Sequence, residues 1–164
     1  MSLWRLWTAI AATALIAGGV AWILKLGVIV ATGGRVVATG AAATFLELGL
    51  VLLIVGSTGI GVRLMMGQEP SMRVVLAVAS PLVLLGVGYA VGGLIGYAVL
   101  VIGGAAAGVA VPGYLLAEVG ILGLAVIALA AGIWLAVEVA LRGVSDGTEP
   151  ASGSREAEHQ PRVR

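Results

Sequence analysis

The chain has 164 residues, of which 60% are hydrophobic and 10% charged, with a formal net charge of +1 and a mean hydropathy of +1.15. A soluble domain is about 45–50% apolar and about 25% charged, and a small one leaves much of its surface exposed whatever its fold. The balance excludes a soluble enzyme, a nucleic-acid-binding domain and a disordered regulator, and predicts a chain whose solvent is hydrocarbon.

Charges mark the ends of the apolar segments, because a charge at mid-bilayer costs on the order of 3 kcal/mol. Arg5 and Lys25 enclose 19 uncharged residues, Leu6 to Leu24. At about 1.5 Å per residue this segment reaches about 28 Å, close to the hydrocarbon thickness. Trp4 and Trp7 stand at one end and Trp22 at the other, as interfacial aromatics do. The run is longer than a signal-peptide core and Trp22-Ile23-Leu24-Lys25 lacks the small residues of a cleavage site, so a retained helix is expected.

Arg35 and Arg63 bound a second span, interrupted by Glu47. After Arg73 no charge follows until Glu118, a gap of 44 residues. A third span over Val74 to Ile95 contains Pro81, which a bundle tolerates if neighbouring helices satisfy the freed carbonyl. Residues 96–113 are apolar but rich in glycine and alanine, and three readings stay open: an extended helix end, a re-entrant segment or a short fifth span. The last span, Val119 to Val137, lies between Glu118 and Glu138, with Pro112 and Gly113 before it.

The expected fold is therefore all-α, a polytopic transmembrane helical bundle of four spans at about 6–24, 38–62, 74–95 and 119–137, with five as the alternative. Four spans place Arg5, Arg63, Arg73 and Arg142 on one side against Lys25 and Arg35 on the other, so the positive-inside rule predicts both termini in the cytoplasm of a cell-membrane protein. Residues 1–142 form the membrane domain. Residues 143–164 are rich in Ser, Gly, Pro and mixed charge, and read as a disordered cytoplasmic tail. Neither a 20–50-residue repeat nor an inverted duplication stands out.

Chemistry-bearing residues are scarce. The chain has no cysteine, its only histidine is His159, and its only aspartate is Asp146, so no metal site, no cofactor and no catalytic set is expected. Glu47 is the most informative residue. The midpoint of Arg35 and Arg63 is residue 49, which puts Glu47 within roughly 3 Å of the bilayer centre. A carboxylate there must pair, face a wet cavity or take up a proton, and intramembrane acids often mark proton or cation paths. The bland alternatives are a protonated glutamate that bonds a neighbouring helix, or an acid nearer the interface on a helix that starts near Ala41. Thr44 shares its face, three residues earlier, and either bonds the carboxyl or back-bonds to its own helix.

Glu118 and Glu138 read as solvated interfacial charges, with Glu138 in the favourable order for an i,i+4 pair with Arg142. Gly88, Gly92 and Gly96 form a smooth stripe on the third span, where another helix can approach closely. Arg63 and Arg73 border a cytoplasmic loop and read as ordinary anchoring charges. The sequence favours a non-enzymatic accessory or scaffold subunit of a membrane assembly. Its partners are the lipid bilayer and either a second copy or a larger complex, not nucleic acid. The alternative is a small proton- or cation-coupled transporter or pore built around Glu47.

Overall fold

The structure, a computed structural model, describes residues 3–35, 40–66 and 68–146. These are almost entirely helical and contain no strand. The elements in chain order are α1 (Leu3–Ala31), α2 (Ala41–Met65), α3 (Pro70–Ala107), the short α4 (Gly113–Ala117) and α5 (Val119–Asp146). Four of them, α1, α2, α3 and α5, are long and apolar enough to cross a membrane. Four spans, not five, are present among the described residues.

Helices are the dictated solution, because backbone groups in hydrocarbon have no water to bond and a helix satisfies them within one segment. The four long helices form a ring in which α1 packs against α2 and α5, and α3 closes it against the same two neighbours. Residue pairing shows that consecutive long helices run antiparallel. Along α1 and α2, Leu15 meets Gly56 and Ala11 meets Gly59; along α3 and α5, Gly88 meets Leu124 and Gly96 meets Val119. The core is built of Ala11, Leu15, Trp22, Leu53, Leu124 and Ala128, all buried.

Helices α1, α3 and α5 run beyond the spans expected of them, and α2 is displaced toward the C-terminus. Residues 143–146, expected in the tail, are the last turn of α5; the remainder of the expected tail lies outside the described residues. The second helix starts at Ala41, not near residue 38. Residues 96–107 continue α3 as an extended helix end, and the chain turns back through 108–112 into α4. Glycine makes that reversal. The Gly108 N–H donates to the Ala105 carbonyl (3.2 Å) and the Val109 N–H to Gly104 (2.9 Å), with Gly108 at φ +67°, the paired bonds of a Schellman ending. The C-terminus of α1 closes the same way at Gly33 and Gly34.

Close approach sets the helix spacing. The backbones of Gly92 and Gly123 lie so near each other that a Cβ on either would run into the other chain segment. Gly88, Gly92 and Gly96 all face α5, so the stripe packs within the chain. Gly86, two residues from Gly88, has open space around it. Gly92→Leu is expected to destabilise the bundle by about 1–3 kcal/mol through overpacking, whereas Gly86→Leu leaves it unchanged or slightly more stable. Thermal unfolding of the two variants in the same detergent checks this; equal melting would show that α3 and α5 do not meet at Gly92.

Candidate functional site

Charged side chains gather at two ends of the bundle. At one end α1 contributes Trp4, α2 contributes Arg63 and α5 contributes Glu138 and Arg142. Both arginines donate through Nη2 to Oε1 of Glu138, at 2.8 Å each. Their guanidinium carbons lie 5.1 Å (Arg63) and 4.5 Å (Arg142) from the centroid of the Trp4 ring. The expected Glu138–Arg142 pair is therefore one edge of a three-helix cluster. Arg142 is 59% exposed, so its ion pair and cation–π contact each contribute on the order of 1 kcal/mol or less. What the cluster fixes is register: it holds the start of α1 against the ends of α2 and α5.

At the other end Lys25 of α1 forms an ion pair with Oε2 of Glu118, the residue joining α4 to α5. Both side chains are buried, at 3% and 8% exposure. Glu118 is thus not the solvated interfacial charge expected of it. Arg5 and Lys25 are 20 residues apart on one helix, so the two charged ends stand about 30 Å apart, the hydrocarbon thickness. Trp22, one turn below Lys25, is buried and donates from Nε1 to the Leu46 carbonyl at 3.0 Å, tying α1 to α2 at this level.

The Glu47 carboxylate lies elsewhere. It is in the second turn of α2, exposed, and among the described residues no side chain bonds to it. Because α2 starts at Ala41, its midpoint is Leu53, and Glu47 sits six residues, about 9 Å, from that midpoint. Gly49 lies against the Trp22 ring, which sets Glu47 close to the level of Lys25. Counting from Arg35 and Arg63 puts Glu47 nearer the middle of the span than the helix itself does, since Arg35 is not in α2: it follows the α1 ending and donates from Nε to the Thr32 carbonyl. Thr44 back-bonds, its hydroxyl donating to the Gly40 carbonyl at 3.3 Å, and does not serve Glu47.

The Lys25–Glu118 contact is the feature that sequence reasoning missed. The signal was present: the chain's single lysine ends one uncharged 19-residue run, and Glu118 opens another on the same side of a four-span bundle. No group of three or more metal-ligating side chains occurs among the described residues.

These ion pairs join helices far apart in sequence. Breaking a buried pair by removing one partner strands a charge and costs about 3–5 kcal/mol, while replacing both with apolar groups is often neutral. Lys25→Met alone is therefore expected to lower the melting temperature strongly, and Lys25→Met with Glu118→Leu to restore it, both read by thermal unfolding in detergent. A single variant as stable as the parent would mean that the pair is solvated. Set against known proteins, the chain matches no protein-family model, no curated protein and no solved structure.

Proposed function

We propose that this chain is a non-enzymatic, multi-pass protein of the cell membrane that works by assembly, as an accessory or scaffold subunit, with both termini in the cytoplasm. The observation that carries the reading is the shape of α3. Its 38 residues reach about 57 Å, nearly twice the hydrocarbon thickness. Gly96 meets Val119, the first residue of α5, so residues 97–107 run on past the end of their partner helix. That extension is apolar and exposed: Ile102 is 69% exposed and Val99 64%. On this reading the extension stands beyond the hydrocarbon, where contiguous apolar surface marks an interaction site.

The charges support the proposed orientation. Lys25 and Arg35, the basic residues on the outer side, are outnumbered by those at the other end. Arg63, Arg73 and Arg142 then hold the cytoplasmic side by the positive-inside rule. A transporter built on Glu47 finds less support, because the carboxylate lies on the exposed side of α2 rather than between helices.

Two measurements test the proposal. A photocrosslinking residue at Ile102 is expected to give one discrete adduct in native membranes, lost when Val99 is changed to Glu, whereas the same probe at the exposed Val51 labels lipid alone. Glu47→Gln is expected to leave abundance and proteoliposome ion flux unchanged. Diffuse lipid labelling at Ile102, or flux that vanishes with Glu47→Gln, would overturn assembly in favour of transport.

A further inference from the structure

We propose that the cavity at the Lys25–Glu118 end of the bundle binds a single-chain amphiphile with an uncharged, hydrogen-bond-donating head. The cavity has a volume of about 470 Å³ and lies between the end of α1, the extension of α3, α4 and the start of α5. Small-molecule sites occupy about 300–1,000 Å³, with apolar walls and a few placed polar groups. Here the walls are Ile23, Leu26, Val30, Leu100 and Leu115, and the one charged residue lining them is Glu118.

The chemistry of Glu118 selects the head. A carboxylate accepts on two oxygens. Lys25 occupies Oε2, and among the described residues no other donor reaches this side chain. Oε1 remains an acceptor on a residue that is only 6% exposed. A buried ion pair is favourable when further hydrogen bonds satisfy its remaining lone pairs, so a donor from the ligand completes it. The head must also be neutral. An ammonium would meet the like charge of Lys25, and a carboxylate or phosphate that of Glu118, in a place where little water screens either. A hydroxyl or primary amide meets neither. The walls accept a hydrocarbon chain. Ile102, the probe position on the proposed assembly surface, lies about 200° around α3 from Leu100, so labelling at the two places is read separately.

The full-length protein in phosphatidylcholine nanodiscs tests this, with three photoreactive probes of equal chain length: an alcohol, a carboxylate and a quaternary ammonium. The alcohol is expected to label residues 23–31 and 115–122 most strongly. Gly27 lines the cavity and a Cβ built on it meets nothing within 4 Å, so Gly27→Phe adds bulk to the cavity wall from an unobstructed Cβ. It is expected to cut alcohol labelling about ten-fold. Lys25→Met with Glu118→Leu removes the acceptor without stranding a charge, and is expected to erase the preference for the alcohol while the chain still enters. Equal labelling by all three probes in the parent protein, undiminished labelling of Gly27→Phe, or an alcohol preference that survives the double replacement would each overturn the proposal.

Discussion

Apolar helices in hydrocarbon have no hydrophobic reason to associate, since lipid tails are as apolar as leucine. What remains is contact: backbones brought close enough for dispersion and a few polar bonds to exceed what lipid offers. The pairing of Gly92 with Gly123 and of Gly49 with Trp22 is that contact in this chain, and the antiparallel ring follows from it. A side chain at either place would hold the helices apart and forfeit the attraction along the whole seam, because dispersion falls away within about an ångström of separation.

Contact alone leaves helices able to slide. The two charged ends remove that freedom. Arg63, Glu138 and Arg142 around Trp4 fix one end, and the buried Lys25–Glu118 pair fixes the other. Trp22 adds a third constraint through its bond to Leu46. A charge pair gives poor net stability when buried, yet it penalises every arrangement in which its members are parted. With 10% charged residues, the chain uses its few bilayer-flanking charges as register pins between helices far apart in sequence.

The same pins expose an imbalance. Three long helices are matched to one another between the two charged ends, while α3 continues past the start of α5 and returns through Gly108 and α4. The excess creates both an unpartnered apolar surface around Ile102 and a cavity against the end of α1. Each arises from a helix longer than the bilayer requires, and each belongs to the part of the molecule least determined by the need to cross a membrane.

The medium, the helical class and the four crossings were legible in the sequence, because hydrocarbon imposes a length and a charge penalty that show in any 19-residue window such as Leu6 to Leu24. The close-approach stripe was legible too, since Gly88, Gly92 and Gly96 fall on one face, although which helix they meet was not. The place of Glu47 along its helix was not legible, because Arg35 lies in the α1 ending and glycine-rich turns do not announce where the next helix begins. Residues 96–113 were undecidable by composition, for a helix continuing past the membrane and one turning within it use the same apolar residues. Tertiary structure alone decided that Lys25 and Glu118, 93 positions apart, share a buried bond. Hydropathy is a property of each segment, whereas that bond depends on how two segments are set against each other.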